Sequence, residues 1–335
     1  MHIWFPVIEA KSGSDVYFRE LANALRARGH AATLTWLPKY LEPLADLGRF
    51  IRVPPRVELI HTNSWNGFAF SRSGLPLVTT VHHWVHDPIL DPYKSVSQRC
   101  YHAAAIKWYE QRSIAAADRV CTVSAFTAAV LRKVLPGLEP TVIHNGVDTE
   151  RFCPGDNGPE DTRGAVFDLL FVGSPDKRKG FDLLARIMAK LGDDYRLTCI
   201  TQRDHQMPPA DNIRCLSGVN HDRLISEFRQ CDAFLFPTRY EGFGYVVAEA
   251  MACGKPVVST NCSAIPEIVT HDVDGLLANP DDIDAYVDHI RTLHGDRDLV
   301  RSFGGNARRR IVEDFSLDVM IDQYVALYAG ILERS

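Results

Sequence analysis

The stretch RYEGFGYVVAEAMACGKPVVS, residues 239–259, combines two carboxylates, a glycine-rich turn and the opening of an apolar helix. Gly242 and Gly244 allow the backbone to turn sharply, so we expect a helix over residues 246–252 directly after them. The first amides of such a helix attract an anion. Glu249 lies among apolar residues, where an ionised carboxylate is costly unless hydrogen-bond donors meet it. The segment indicates either a site for a ligand with an anionic group and hydroxyls, or a plain strand, turn and buried helix.

Short apolar runs alternate with helical segments on both sides of this stretch. The first half predicts a helix over residues 16–28 and strands over residues 2–7, 32–36, 57–61, 76–81, 119–123 and 141–144. After residues 151–164, which are rich in Gly, Pro and charge, a second series predicts strands over residues 167–172, 196–200, 213–216, 233–237, 256–259 and 275–277. Such alternation favours parallel sheets covered by helices. We therefore expect two doubly wound units with a ligand cleft between their strand ends.

Length and composition agree with two soluble domains. The chain has 335 residues, of which 46% are hydrophobic and 24% charged, and a chain of this length suits two domains. No apolar run approaches the ~20 residues of a membrane span, and the first residues lack a signal-peptide layout, so we expect a cytoplasmic protein. The eight cysteines are scattered without a CxxC pair. They are typical of reduced core residues and not of a disulfide or zinc framework.

Charge is unevenly distributed along the chain. Residues 1–155 hold 17 Lys and Arg against 13 Asp and Glu, whereas the remainder holds 20 against 29. The surplus in the first half has two interpretations: a peripheral contact with a lipid phosphate or the anionic inner face of a membrane, or a solvated surface without a partner. Nucleic acid is not an expected partner, because no basic cluster is interleaved with aromatic residues.

The two carboxylates also carry a family resemblance. Glu241 and Glu249, separated by seven residues within EGFG and EAMACGKPVV, resemble the signature of retaining glycosyltransferases of family four. Similar segments recur from about residue 12 to residue 328. The resemblance implies a GT-B fold, with two Rossmann-like α/β domains that face each other across a cleft. Residues 1–155 would bind the acceptor, residues 165–315 the nucleotide-sugar donor, and residues 316–335 would form a helix that crosses back to the first domain.

A basic loop follows the first strand of the second series. In FVGSPDKRKGFDLL, residues 171–184, the loop carries Lys177, Arg178 and Lys179, and cations there can neutralise a departing diphosphate. Lys179 matches the lysine of the family's phosphate-binding loop, but Ser174 stands where arginine is usual. Either Arg178 or Lys177 substitutes for that arginine, or the diphosphate is held more weakly; we expect Arg178 together with Lys179. Without the resemblance, a solvated basic loop would be the plain interpretation.

Two segments of the first half extend the resemblance. In KSGSDVYFRELANALRARGH, residues 11–30, Gly13 matches one glycine of a family loop that approaches the donor phosphates or the acceptor. In VTTVHHWVHDP, residues 78–88, the resemblance places His82 at a strand end facing the donor sugar. His82, His83, His86 and Asp87 could also be drawn as metal ligands, but Pro88 and the β-branched run favour a strand ending in a loop, where that spacing guarantees no site.

The acidic pair Asp272 and Asp274 has the spacing of a manganese-binding Asp-x-Asp motif. The segment HDVDGLL leads through Gly275 into an apolar run, and turns commonly use Asp and Gly, so we expect a turn. The nearby SAIPEIV, residues 263–269, resembles a GGxPE turn but lacks both glycines. We predict no metal and no cofactor, with cationic side chains and a helix start in place of a divalent ion.

The predicted function is transfer of a sugar from a nucleotide-diphosphate sugar to a hydroxyl of a glycan or lipid-linked acceptor, with retention of configuration. In this interpretation the catalytic residues are Glu241, Lys179 and His82. Donor-binding residues are Gly13, Arg178, Lys179, Glu241, Gly242, Phe243, Gly244 and Glu249. Alternatives are a nucleotide-sugar epimerase of the same fold and a non-catalytic sugar-binding relative. A dinucleotide-dependent oxidoreductase is disfavoured, because no strand is followed by GxGxxG and an acidic residue about 20 positions later.

Overall fold

The structure is a computed structural model that describes residues 1–10, 12–155, 166–202 and 210–334. The chain divides into two compact units. Unit 1 comprises Met1–Gly146 and Leu317–Ser335, and unit 2 comprises Val147–Ser316. Within the described ranges, no helix combines the length and apolar character needed to cross a bilayer. All eight cysteines are free thiols.

Unit 1 is built on a parallel sheet that has six strands in the described part of the chain. The strands are β1 His2–Ile8, β2 Ala31–Leu37, β3 Leu59–Asn63, β4 Leu77–Val81, β5 Arg119–Thr122 and β6 Thr141–Val142. The helices are α1 Gly13–Ala27, α2 Val96–Tyr101, α3 Lys107–Ala116, α4 Ala125–Val134 and, from the end of the chain, α11 Leu317–Leu332. Strand order is β2-β1-β3-β4-β5-β6, so the order reverses between β1 and β3. Each predicted strand of this half is confirmed, with shifts of one or two residues at its ends.

Shorter helical turns complete unit 1. They are the 3₁₀ segments Lys39–Phe50, Gly67–Ser73 and Pro88–Tyr93, and the π-helical turn His102–Ile106 between α2 and α3. Apolar side chains from these turns pack with the sheet, as in the edge-on contact of Trp4 with Phe70 at 5.2 Å.

Helix α11 is joined to the sheet of unit 1 by a buried polar network. His61 on β3 bonds through Nδ1 to the Tyr328 hydroxyl at 2.6 Å and through Nε2 to Thr80 Oγ1 at 2.7 Å. Tyr17 on α1 donates a hydrogen bond to the hydroxyl of Tyr324. All five side chains are fully buried. The network satisfies polar groups that would otherwise be costly inside the unit, so it fixes the place of the C-terminal helix.

Unit 2 is built on a second parallel sheet of six described strands. They are β7 Phe167–Val172, β8 Tyr195–Thr201, β9 Ile213–Ser217, β10 Ala233–Phe236, β11 Val257–Thr260 and β12 Gly275–Ala278. The helices are α5 Phe181–Leu191, α6 His221–Gln230, α7 Tyr245–Ala252, α8 Ile265–Ile268, α9 Ile283–Gly295 and α10 Arg297–Asp314, with a 3₁₀ turn at Lys177–Lys179. Strand order is β12-β11-β10-β7-β8-β9, which is the Rossmann order. All six strands predicted for this half are confirmed.

The boundary between the units differs from the predicted one. Residues 147–155, assigned from sequence to the first domain, pack with unit 2. Arg308 donates hydrogen bonds to the carbonyls of Thr149 and Phe152, each at 2.8–2.9 Å, and Val147 forms a bridge with Ser316. The rest of the predicted linker, residues 156–164, and the predicted domain start at residue 165 lie outside the described residues.

Candidate functional site

The candidate site of unit 2 lies where its strand order reverses. β7 and β10 are neighbours in the sheet, and the loops that follow them contain the basic segment and Glu241, respectively. Parallel strands place these loops at one edge of the sheet, and the reversal point of such a sheet is its usual ligand site. The topology therefore brings together two segments that are some 60 residues apart in the chain.

Local sequence fixes the basic loop. Asp176 accepts a hydrogen bond from the amide of Lys179 at 3.0 Å and so caps the turn Lys177–Lys179. Gly180 follows with φ +72°, a conformation that favours glycine. The carbonyl of Arg178 accepts from the amide of Arg239 at 2.8 Å and from the hydroxyl of Thr238 at 3.1 Å. These bonds tie the basic loop to the loop after β10.

Lys179 and Glu241 form a close ion pair at this point. Lys179 Nζ lies 2.6 Å from Glu241 Oε1, and the Thr238 hydroxyl donates to the same oxygen at 3.0 Å. Arg178 Nη1 lies 3.6 Å from it. The ammonium of Lys179 is also 5.3 Å from the centroid of the Phe236 ring. The Glu241 side chain is only 9% exposed, so its charge is compensated by these neighbours and not by solvent.

Burial and neighbouring charge shift the pKa values of Glu241 and Lys179 in opposite directions. Burial alone would raise the pKa of Glu241, but Lys179 and then Arg178 outweigh it and hold that pKa below its ordinary value. Burial lowers the pKa of Lys179 although Glu241 opposes the shift. The ammonium of Lys179 has three N–H donors. Its bond to Glu241 takes one of them, so the others can bind a ligand.

The structure distinguishes the two expected substitutes for the missing arginine. Arg178 faces Glu241 and donates to the carbonyl of Tyr240 at 3.0 Å, whereas the Lys177 side chain is exposed. Ser174 is exposed at the end of β7, and its carbonyl accepts from the amide of Asp176 at 2.8 Å. Arg178 is thus the basic residue that joins Lys179 at the site.

The turn before α7 uses one of its two glycines in the expected way. Gly244 has φ +118° and precedes α7, whereas Gly242 lies outside the left-handed region, so only Gly244 requires glycine on conformational grounds. α7 begins at Tyr245, one residue before the predicted start. Phe243 is buried and packs against Tyr245 and Phe315. Donor contacts by the amides of Phe243 and Gly244 stay predictions.

Glu249 has a different environment from Glu241. Burial raises its pKa to about 7, and Arg151 only partly opposes that rise. It lies on α7, and none of the hydrogen bonds and ion pairs resolved in the described ranges joins its carboxylate to Lys179 or Arg178. A carboxyl with so raised a pKa is a candidate functional group, since it is poised to change protonation when a ligand binds.

Three side chains at the site were not singled out from sequence. Ser263 adopts φ +51° and its hydroxyl accepts from the amide of Glu241 at 2.9 Å. Arg239 bonds to Asp182 at 2.7 Å and pairs with Asp281 at 2.6 Å. Thr238 is the third. The sequence signal for Ser263 was the resemblance of residues 263–269 to a GGxPE turn. Ser263 stands where that turn has a glycine, and its backbone conformation is one that suits glycine.

The first-half residues predicted for the site lie in unit 1. His82 follows β4 directly, as expected, and packs edge-on against Tyr17 at 4.9 Å. Its Nε2 is buried and has no hydrogen-bond partner in the described part of the chain. Burial, and then His83, lower the pKa of His82 to about 3, so its imidazole is neutral. A neutral imidazole with an unused nitrogen can bond a hydroxyl group.

Gly13 does not adopt a conformation that requires glycine. It is the first residue of α1 and lies outside the left-handed region. The segment before the helix is held instead by Asp15, which accepts from the amide of Ala10 at 3.0 Å. A ligand contact of Gly13 stays a prediction.

The Asp-x-Asp segment is a turn, as predicted. Asp272 has φ +60°, and buried Asp274 accepts from the amide of Thr270 at 2.7 Å, so one carboxylate is used to close the turn before β12. Among the described residues, no three His, Cys, Asp or Glu side chains are grouped to hold a metal ion. Metal-independent chemistry stays a prediction.

Two family models match the sequence over most of its length. Glycosyltransferase Family 4 matches residues 33–151, and Glycosyl transferases group 1 matches residues 160–310. Alpha-maltose-1-phosphate synthase of Mycolicibacterium smegmatis is 27% identical over 90% of this chain and 84% of its own. The chain spans 65% of the length of the corresponding enzyme of Mycobacterium tuberculosis, with 28% identity.

Solved structures show the same fold. Sucrose-phosphate synthase from Thermosynechococcus elongatus superposes with a TM-score of 0.82 and 22% identity, covering all of both chains. Anabaena HepE, solved in complex with UDP-glucose, superposes with a TM-score of 0.76 and 16% identity over 98% of this chain and all of its own. The two family models match consecutive parts of the chain, and the solved structures share its fold. The chain therefore belongs to the family-four glycosyltransferases of GT-B fold.

Proposed function

We propose that the chain transfers a sugar from a nucleotide-diphosphate sugar to an acceptor hydroxyl with retention of configuration. The observation that carries the proposal is the grouping of Lys179, Arg178 and Glu241 at the reversal point of unit 2. Two cations beside a carboxylate suit a ligand that joins a diphosphate to a hydroxylated ring. The complex of Anabaena HepE with UDP-glucose supports a donor of this class.

The proposed roles follow from charge and hydrogen-bonding capacity. The ammonium of Lys179 can keep its bond to Glu241 and still donate to a phosphate oxygen, while Arg178 adds a second cation. The free oxygen of Glu241 accepts from a sugar hydroxyl. Glu249 accepts from the ribose hydroxyls. His82, on unit 1, is proposed to contact the sugar through its neutral imidazole.

The proposed reaction needs no protein side chain as a base. The bond between the anomeric carbon and the phosphate oxygen breaks through an oxocarbenium-like state, and its electron pair leaves with the phosphate. The acceptor oxygen forms the new bond from the same face, which retains configuration, and its proton passes to the leaving phosphate oxygen. Lys179 and Arg178 stabilise the charge that develops on that phosphate.

The acceptor is proposed to be a glycan or a lipid-linked sugar bound by unit 1. Exposed apolar side chains on segment Lys39–Phe50 support peripheral contact with a lipid surface: Tyr40 and Phe50 are each 73% exposed, and Leu44 and Leu47 are also exposed. Lys39 and Arg49 of this segment are offset by Glu42 and Asp46, so the expected preference for anionic lipid rests on the surplus of basic residues in residues 1–155. Binding to vesicles of anionic phospholipid should exceed binding to phosphatidylcholine vesicles, and L47S/F50S should weaken binding to both. Vesicle binding by the double variant that is unchanged from the unmodified protein would contradict this part.

The function is tested by calorimetry with UDP, GDP, ADP and their glucose and mannose derivatives, followed by turnover assays with the donor that binds. We expect one nucleotide sugar to bind and to be transferred or slowly hydrolysed, with proton NMR showing an anomeric configuration equal to that of the donor. Activity should survive EDTA. Failure of every donor to bind would refute the proposal, and an inverted product would refute retention alone.

A further inference from the structure

The side chain of Arg239, in the loop after β10, joins three loops of unit 2. It donates from Nη1 and Nη2 to the two carboxylate oxygens of Asp182 at 2.7 and 3.0 Å. Asp182 lies in the first turn of α5, directly after the basic loop. Nε of Arg239 donates to Asp281, in the loop after β12, at 2.7 Å. The guanidinium therefore ties together the loops that follow β7, β10 and β12 at the carboxyl edge of the sheet.

All five N–H donors of this guanidinium have an acceptor in unit 2. Besides the three bonds above, Nη1 donates to the carbonyl of Lys177, and Nη2 lies 2.6 Å from the carboxylate of Asp281. An arginine carries five such donors, and the two carboxylates balance its charge. Its side chain is only 11% exposed. The donors of Arg239 are thus committed to the protein, in contrast to those of the Lys179 ammonium.

Residue 239 also holds the backbone that leads into Lys179. Its side chain binds the carbonyl of Lys177, and its amide donates to the carbonyl of Arg178 at 2.8 Å. These carbonyls belong to consecutive peptide groups, and the second one is bonded to the backbone nitrogen of Lys179. The path of the chain at Lys179 is therefore fixed by two bonds from a single residue of the neighbouring loop.

The two carboxylates that hold Arg239 face solvent. Asp182 is 37% exposed and Asp281 is 58% exposed. Exposed ion pairs contribute little to folding stability, so we expect unit 2 to stay folded without Arg239. Asp281 also has φ +66°, a left-handed conformation that is uncommon outside glycine and is found mainly where function requires it. These features favour a role in arranging the site over a role in folding.

We infer that Arg239 is a positioning residue for sugar transfer: it holds Lys179 where the ammonium meets both Glu241 and the leaving phosphate, and it does not bind the phosphate itself. This assignment rests on the proposed function, since it names a residue that acts through Lys179. The loss of Arg239 should therefore affect turnover only while Lys179 is present.

The test is a double-mutant cycle in the full chain with the nucleotide sugar that binds. We expect Arg239→Gln to lower kcat/KM at least tenfold, but less than twofold when Lys179→Ala is already present, because a residue that acts through Lys179 has no effect without it. A purely structural role would lower kcat/KM by the same factor in both backgrounds.

Arg196→Gln is the matched control. Arg196 also forms two bonds to one carboxylate, that of Asp168, at 2.6 and 2.9 Å. This pair lies near the starts of β7 and β8, at the opposite edge of the same sheet. Its loss should leave kcat/KM within twofold of the unmodified protein, and melting curves of every variant report any change in stability.

Inorganic pyrophosphate, followed by phosphorus NMR, is a second probe that needs no sugar transfer. Its affinity should fall at least fivefold with Arg239→Gln and should not change with that substitution in the Lys179→Ala background. Equal losses in both backgrounds, an equal loss in Arg196→Gln, or unchanged kcat/KM and pyrophosphate affinity in Arg239→Gln would overturn the assignment. If no nucleotide sugar binds but pyrophosphate shows the expected pattern, the proposed function fails and the positioning role stands. If neither binds, both fail.

Discussion

A methyl group built on Gly180 would lie 1.9 Å from the carbonyl oxygen of Pro237. That distance allows no side chain, so the basic loop and the loop after β10 approach each other only because residue 180 is glycine. The ion pair of Lys179 with Glu241 depends on this approach, because Lys179 precedes Gly180 and Glu241 follows Pro237 by four residues.

Gly180→Ala should therefore separate the two loops. We expect donor affinity to fall at least tenfold and stability to fall by more than the ~1–2 kcal/mol of a left-handed alanine. Gly74→Ala is the matched control: Gly74 is also left-handed, with φ +73°, but a methyl there meets no atom within 4 Å. Calorimetry and urea unfolding give the two quantities. Equal effects of the two substitutions would show that the close approach has no functional consequence.

Lys179→Ala should reduce turnover by about 10²-fold or more, because it removes a cation from the leaving phosphate. The measurement is the initial rate at saturating donor, with circular dichroism to confirm folding. Lys190→Ala serves as control, since Lys190 is exposed and pairs with Asp284 on the surface of the same unit. A rate within twofold of the unmodified protein would remove Lys179 from the mechanism.

Donor binding at pH 7 should release protons from Glu249. Its pKa of about 7 leaves the carboxyl partly protonated in the free protein, and hydrogen bonds from ribose hydroxyls to the carboxylate would lower that pKa. The calorimetric enthalpy should then vary with the ionisation enthalpy of the buffer, and Glu249→Gln should lose this dependence. Buffer-independent enthalpies in the unmodified protein would argue against ligand contact at Glu249.

The raised pKa of Glu249 also predicts how the stability of the protein depends on pH. The pKa of Glu249 is higher in the folded chain than its ordinary 4.5. Between about pH 4.5 and pH 7 the folded state therefore binds more protons than the unfolded state. Because of this residue, the free energy of unfolding falls as pH rises through that range. Above pH 7, Glu249→Gln should be more stable than the unmodified protein by on the order of 1–3 kcal/mol. The two should converge near pH 4.5. Urea unfolding across this range measures the difference, and parallel curves would contradict the prediction.

Tyr328→Phe should destabilise the chain by about 1–3 kcal/mol, because it leaves Nδ1 of buried His61 without its partner. Tyr40→Phe is the control, since Tyr40 is highly exposed. Thermal unfolding reports the change. If the two variants unfold alike, the buried network does not hold helix α11 in place.

The fold was largely predictable because its signals are local. All twelve predicted strands are present, since apolar runs bounded by turn residues report burial without knowledge of their partners. The boundary at Val147 was not predictable, because it depends on hydrogen bonds from Arg308, which is 159 residues from Thr149. The hydrogen bond from the amide of Ala10 to the carboxylate of Asp15 was likewise not predictable, because residue type alone does not reveal that bond.

By itself the sequence determined the alternating architecture, the family resemblance and the residue types that could serve a phosphorylated sugar. Only the tertiary structure decided that Arg178 and not Lys177 accompanies Lys179 and that Ser263 supports Glu241. Spacing along a chain fixes secondary structure, whereas pairing, burial and pKa depend on which distant segments the sheet order places side by side.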